Sequence, residues 1–352
     1  MPSEALAGEL SLNEIKEVIS HWDVGVVDAV TPMQGGSRQS PKARIVTNQG
    51  VFVLKRRSVK SIDLERVRFA HHVMLSLGIA GLPIALPQFA RDHTTYFLNS
   101  QSIFELFIFI NGNRWQRLPS QAFESGKTLA QLHQVALMMT WHGHVNASCF
   151  HGNLAVVEAL RRAPAAIQRA NQGQSNGVEN VCEQISALYQ DASRRVEDLE
   201  FQALDSQVVH GDWHAGNVLF DGDRISGILD FDSARLEPAI VDIANGLLQY
   251  AARPGSKRNV PQWPHELDEK MFSSFARGFA SVESHYVMKF LNMVPLLMIE
   301  ACIAEAAIPI SRTGMFSTIP GEHILEFVLR RSTWIRNHSQ ELVRQLAAEI
   351  TP

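Results

Sequence analysis

The sequence predicts a mixed α+β fold in two parts, a small β-rich N-terminal part and a larger helical C-terminal part. Three observations point to it. Three runs rich in β-branched residues, "VGVVDAVTPM", "KARIVTN" and "VFVLKRR", follow one another through the turn-forming "QGGSRQSP" and "NQG". At "IFELFIFINGN" the extended pattern ends on Asn111–Asn113, and helical spacing dominates from there on, apart from residues 207–235. With 352 residues, 45% hydrophobic and 19% charged, the chain has core material for two such parts. The expected division is 1–108 and 109–352.

The elements can be justified in order. "SLNEIKEVISHW" opens with Ser11 and carries Glu14 three residues later, a capping box at the start of a helix. The three strands follow. "SIDLERVRFAHHVMLSLG" places Leu64, Val67, Ala70, Met74 and Leu77 at helical spacing and stops at Gly78. "GLPIALPQFA" and "TTYFLNSQSIFELFIFI" return to extended apolar runs, and "SQAFESGKTLAQLHQVALMM" begins the helical part. The most apolar long run, "FLNMVPLLMIEACIAEAAIPI", is interrupted by Pro295, Glu300 and Glu305 and reads as a buried helix rather than a membrane span.

Composition narrows the function classes. A net charge of −4 argues against a nucleic-acid binder, which would show a basic face. The N-terminal "MPSEALAGELSLNE" is acidic and has no secretory pattern. Cys149, Cys182 and Cys302 are scattered and form no CxxC pair, which fits a reducing compartment. A cytoplasmic location with no membrane partner is the expectation.

The chemistry concentrates in "HGDWHAGNVLFDGDRISGILDFDSAR", His210–Arg235. Between Asn217 and Asp230, "VLF", the turn "DGD" and "ISGIL" form a hairpin that returns the chain on itself. Asn217 at its entry and Asp230 at its exit should therefore come together as hard oxygen ligands suited to Mg²⁺. Asp212, upstream on the same loop, can accept a proton from or orient a hydroxyl that attacks a phosphate. An Asp base, four residues, a metal-binding Asn and a later metal-binding Asp are the parts of a kinase catalytic loop.

With these motifs the chain resembles the aminoglycoside phosphotransferase/choline kinase family, small-molecule kinases with a two-lobed protein-kinase-like fold. The resemblance implies ATP and Mg²⁺ as cofactors and a small-molecule hydroxyl as acceptor, drawn from amino alcohols, amino sugars, homoserine-like compounds and aminoglycosides. It implies that Lys55, late on the third strand, holds the nucleotide phosphates, with Arg56 and Arg57 contributing much less unless the strand register is slipped by a position. Gly35, Gly36 and Ser37 in "QGGS" would let backbone N–H groups approach phosphate oxygens, although a hairpin turn accounts for them too. Glu65 would pair with Lys55 from the helix, or else cap that helix. The backbones of Glu105 and Phe107 would hydrogen-bond an adenine ring. Asp242 and His210 would brace the catalytic loop, and His133 would pack structurally. Trp213, Asp232 and the acids Glu237, Glu300 and Glu305 are candidates for the acceptor site, with structural roles open for those three glutamates.

Two other readings compete. His210, Asp212 and His214 form H-x-D-x-H, a possible hydrolytic metal site, but no further ligands at metal-site spacing accompany them. A kinase-like protein that binds nucleotide without catalysis would ordinarily have lost one of Asp212, Asn217, Asp230 or Lys55, and all four are present.

Overall fold

The computed structural model describes residues 10–33, 40–59, 63–143, 145, 149–171, 177–256 and 259–350. Its N-terminal part is a five-stranded antiparallel sheet of order β1-β2-β3-β5-β4, formed by Val27–Met33, Lys42–Thr47, Gly50–Ser58, Ser102–Ile108 (β5) and Phe97–Leu98 (β4). Strand alternation gives the sheet two faces. On one, Ala43, Ile45, Phe52, Leu54, Phe104 and Leu106 pack against Ile15, Val18 and Ile19 of helix α1 (Leu12–Ile19) and against Trp22. The capping box of Ser11 and Glu14 starts α1 as expected, and Glu14 also binds Arg56 at 2.8 Å. The opposite face carries Lys42, Lys55, Arg57 and Glu105, because β3 pairs Lys55 with Lys42 on one side and with Glu105 on the other.

Helix α2 (Leu64–Ile79), capped by Asp63, lies against this second face through Val67 and Ile103. "GLPIALPQFA" departs from the expected strand. It is an extended connector held by isolated bridges, Ile84 to Ile228, Pro87 to Phe107 and Ala90 to Trp22. Pro83 and Pro87 lack the N–H that a regular ladder requires. The connector ties the sheet edge to the hairpin of the C-terminal part.

That part contains helices α3 (Pro119–Ala136), α4 (Leu154–Ala170), α5 (Val178–Glu197), α6 (Ile240–Ala251), α7 (Glu269–Ala280), the short α8 (His285–Lys289), α9 (Val294–Thr313), α10 (Gly321–Asn337) and α11 (Ser339–Ile350). Leu291–Thr313 is long and apolar enough to cross a membrane, but it is mostly buried, with α4, α5, α6 and α10 packed around α9. Among the described residues three small antiparallel pairs interrupt the helices: β6 (Gln207–Val209) with β9 (Arg235–Glu237), the hairpin β7 (Val218–Asp221) with β8 (Arg224–Ile228), and β10 (Met315–Phe316) with β11 (Ile319–Pro320). The hairpin turns at Gly222, whose φ of 58° suits glycine.

Candidate active site

The loop between β6 and β7 is built from below by Asp242. This carboxylate is wholly buried in the first turn of α6, a costly placement without partners. It accepts hydrogen bonds from the backbone N–H of His210 at 2.7 Å and of Gly211 at 2.8 Å, and faces His133 Nε2 at 3.3 Å. Burial pushes its pKa up, but His133 and the neighbouring charges outweigh this and hold it below the ordinary carboxylate range. Gly211 has φ 76°, and a Cβ there would meet the Arg235 guanidinium and the Ser233 carbonyl, so the loop needs glycine at this bend.

His210 is fully buried, and burial lowers its pKa, so it is neutral. Its Nδ1 accepts from the Asp212 N–H at 3.3 Å, which leaves Nε2–H to donate to the Leu229 carbonyl at 3.1 Å. The imidazole therefore ties the loop to the end of β8.

On this frame Asp212 and Asn217 meet. Asn217 Nδ2 donates to Asp212 Oδ2 at 3.0 Å and to its backbone carbonyl at 3.1 Å. The Asp212 side chain is 47% exposed, open to an incoming molecule. Enclosure by the protein raises its pKa, but His214 and then the Asn217 hydrogen bond outweigh that, so the group is ionised. His214 Nδ1 accepts from the Gly216 N–H at 2.9 Å, so its proton resides on Nε2, 3.4 Å from Asp212 Oδ2.

After β8 the chain passes through Asp230 in the left-handed conformation, φ 61° and ψ 69°. Asp tolerates this region better than most residues, yet it remains an uncommon backbone state at a site of chemistry. The turn buries Phe231 and directs Asp230 and Asp232 toward the sheet. Lys55 Nζ lies 2.6 Å from Asp232 Oδ2 and 3.7 Å from Asp230 Oδ1. Arg57 Nη2 reaches Asp232 Oδ1 at 2.8 Å, and Arg66 of α2 donates to the Asp232 carbonyl at 2.9 Å. Residues from β3, α2 and the segment after β8 thus converge on one cleft.

Two expectations are corrected here. Glu65 does not reach Lys55: it binds Arg68 at 2.6 Å on the exposed first turn of α2, a local i,i+3 pair. Glu105 and Phe107 do not offer free backbone groups. Both lie within the β3–β5 ladder, opposite Lys55 and Val53, and the other edge bonds Leu86 and Gln88 through Ile108 N and Leu106 O. The Glu105 side chain is instead the buried partner of Arg57, at 2.5 and 2.6 Å, and of His71 at 2.9 Å. Burial opposes its charge, but Arg57 and His71 hold its pKa far below the ordinary carboxylate range. Arg57 therefore joins the Lys55–Asp232 cluster, where the expectation gave it a much smaller part than Lys55. Gly35, Gly36 and Ser37 lie outside the described residues.

The acceptor-side candidates also separate. Trp213 is wholly buried, its indole N–H bonded to Ser125 Oγ at 3.0 Å. Glu237 is buried beside Arg235, and Glu300 is buried against His151 Nδ1 at 2.9 Å. Glu305 of α9 is exposed, takes a 2.7 Å bond from Gln249, and lies within electrostatic reach of both Asp212 and His214.

The donor set can be tested for a metal. Asp230 Oδ1 is buried with no hydrogen-bond partner, a costly state that a cation would relieve. Asn217 spends its amide N–H₂ on Asp212, which leaves the amide oxygen as its ligating atom. One carboxylate and one amide oxygen, completed by water and phosphate, suit magnesium. The residues fit it. Among the described residues no cluster of three or more His, Cys, Asp or Glu side chains could hold a metal ion.

Comparison with known proteins follows the same line. The fold is similar to amicoumacin kinase hAmiN, solved with AMP-PNP, Ca²⁺ and Ami (TM-score 0.65, 12% identity, covering 97% of this chain and 96% of that one). It is similar to an aminoglycoside phosphotransferase from Alicyclobacillus acidocaldarius (TM-score 0.63, 14% identity, 99% and 98% covered). It is also similar to choline kinase LicA from Streptococcus pneumoniae (TM-score 0.58, 13% identity, 96% and 98% covered). No curated protein matches the chain in sequence. The sequence profile of the phosphotransferase enzyme family matches residues 29–279, most of the chain. The chain belongs to the phosphotransferase enzyme family.

Proposed function

We propose that the protein transfers the terminal phosphoryl group of ATP to a hydroxyl of a small, amine-bearing molecule. The observation that carries this reading is the convergence of Lys55 on Asp230 and Asp232 beside the Asp212–Asn217 pair. A cation for phosphate, an oxygen pair for magnesium and an ionised, accessible carboxylate are the parts that phosphoryl transfer requires. We assign nucleotide binding to residues 1–108 and the catalytic loop and acceptor site to residues 109–352. A cytoplasmic location, where ATP is available and thiols stay reduced, fits the free Cys149, Cys182 and Cys302.

In this reading the acceptor O–H stands at Asp212. As its oxygen bonds to the terminal phosphorus, the bond from that phosphorus to the bridging oxygen breaks, ADP leaves, and the proton passes to the Asp212 carboxylate. Asn217 holds Asp212 in orientation through Nδ2, and His214 Nε2–H faces the same carboxylate oxygen, Oδ2. Lys55 aligns phosphate oxygens as a compact point charge. Asn217 and Asp230 would hold magnesium, which when bound would neutralise charge on the phosphate oxygens. The acidic surroundings of Asp212 and Glu305 suit an acceptor carrying an ammonium group.

Release of ADP across a panel of amino alcohols, amino sugars and aminoglycosides tests the reading. An acceptor-dependent signal should fall by roughly 10²–10⁴-fold in Asp212→Asn, the scale of a positioned acid–base group. Turnover undiminished in that variant, or ADP release indifferent to every acceptor, would contradict it.

A further inference from the structure

The site carries a cation that the reading above leaves without a task. Lys42 opens β2, and the β2–β3 register sets it directly opposite Lys55. Directly opposed residues of an antiparallel pair project from the same face about 5 Å apart at Cβ. Lys42 therefore stands beside Lys55 on the cleft face, one strand farther from Glu105.

Two like charges in this position destabilise a sheet unless an anion lies between or before them. The resident anions are already committed. Asp232 is shared by Lys55 and Arg57, Asp230 Oδ1 lies 3.7 Å from Lys55, and Glu105 is held by Arg57 and His71. The Lys42 ammonium makes no ion pair or side-chain hydrogen bond among the described residues, although the residue is half-buried. Burial and then the Lys55 charge hold its pKa below the usual lysine range, while Asp230 and Asp232 pull the other way. The group is thus within electrostatic reach of Lys55 and both aspartates.

We propose that Lys42 is a second phosphate-binding cation of this cleft, gripping the phosphate chain of the nucleotide together with Lys55. The proposal rests on the phosphotransferase reading. A triphosphate with its magnesium ion still carries net negative charge, and among the described residues Lys42 forms no ion pair with a carboxylate, while Arg44, the next cation on this face, stacks over the Phe109 ring instead. Its target is the phosphate chain and not the base, so its effect scales with the number of phosphates.

Titration calorimetry of ATP, ADP and AMP with magnesium, on the full chain and on Lys42→Gln, Lys42→Arg and Lys55→Met, tests this. Lys42→Gln should weaken ATP binding by about 10- to 100-fold and AMP binding by no more than about threefold, the scale of one charge-assisted contact. Lys42→Arg, which keeps the charge, should stay close to wild type. The proposal is overturned if Lys42→Gln binds ATP normally, if ATP and AMP weaken equally, or if Lys42→Arg loses as much as Lys42→Gln. If Lys55→Met weakens ATP and Lys42→Gln does not, this proposal alone falls. If the wild-type chain binds no adenine nucleotide, the phosphotransferase reading falls with it.

Discussion

The Lys55 ammonium lies 2.6 Å from Asp232 across 177 residues of sequence. Lys55 is buried within β3, and a buried ammonium needs counter-charges close by. The chain supplies them by passing through the left-handed turn at Asp230, which presents two carboxylates to the sheet. This contact joins the sheet to the helical part at the point where a nucleotide's phosphates would lie.

Lys55→Met should reduce kcat/KM by roughly 10²–10³-fold, because a preorganised charge at the transferring phosphoryl group is lost. Arg56→Met should cost less than about threefold, since Arg56 points to the other face and binds Glu14, an outlying pair of small worth. Steady-state kinetics of both variants would check the strand register. An inactive Arg56 variant with an active Lys55 variant would reverse it.

Arg57→Met should be far more harmful than the Arg56 change. It strands the buried Glu105 beside His71 and releases Asp232, and breaking a buried ion pair from one side costs about 3–5 kcal/mol. Urea unfolding and kinetics should both register the loss. A Glu105→Gln, Arg57→Met double variant should recover part of the stability, because the uncompensated charge is removed. No recovery would mean that the pair acts through something other than charge balance.

The contrast between these neighbours shows what was legible in the sequence. The Asp212–Asn217–Asp230 spacing was legible because a hairpin is local: the DGD turn and its flanking runs dictate that entry and exit meet. That Asp242 needs partners was legible because it is an acid among apolar residues on a helix, whereas its bracing of His210 and Gly211, 32 and 31 residues away, was implied only by the family resemblance. Arg57 with Glu105, and Lys42 with Lys55, depend on which strands pair and in what register, which no single run encodes. Parity along "VFVLKRR" does place Arg57 on the face of Lys55 and Arg56 opposite, a signal that could have been read. The Glu65 expectation failed because a helix acid in the first turn has a nearby local partner in Arg68. The Glu105 expectation failed because the ladder extends farther than the apolar run suggests, taking up the backbone through Phe109.

Asp242→Ala should destabilise the fold by on the order of 3 kcal/mol, since the His210 and Gly211 N–H groups and His133 lose their buried acceptor. The midpoint of urea unfolding should drop, and kcat should fall even under conditions where the variant is folded. An unchanged midpoint would show that the loop does not depend on this carboxylate.

A pH dependence should come from His151, whose ring lies between Glu300 at 2.9 Å and Glu197 at 3.0 Å, joining the start of α4 to α5 and α9. Burial opposes its protonation, but Glu300 and then Glu197 outweigh it and raise the pKa above the usual histidine value. The raised value means that the stabilisation is complete below about pH 6.5 and is lost as pH climbs through the folded pKa. Glu300, itself raised by burial, adds a contribution of the same sign in its own more acidic range. The melting temperature of the wild type should therefore fall above neutrality, and that of His151→Gln should start lower and fall less. Parallel curves would remove His151 from this role.

Titration of ATP into the wild type and Asp230→Ala, each with and without magnesium, tests most directly whether the two parts of the chain form one metal–nucleotide site. The wild type should bind ATP more tightly with magnesium, and Asp230→Ala should lose that difference because Asp230 Oδ1, which accepts no hydrogen bond, is the proposed ligand. Asp232→Ala, which removes a partner of Lys55 rather than a ligand, should keep the difference. Magnesium-dependent binding that is identical in the wild type and Asp230→Ala would contradict the account.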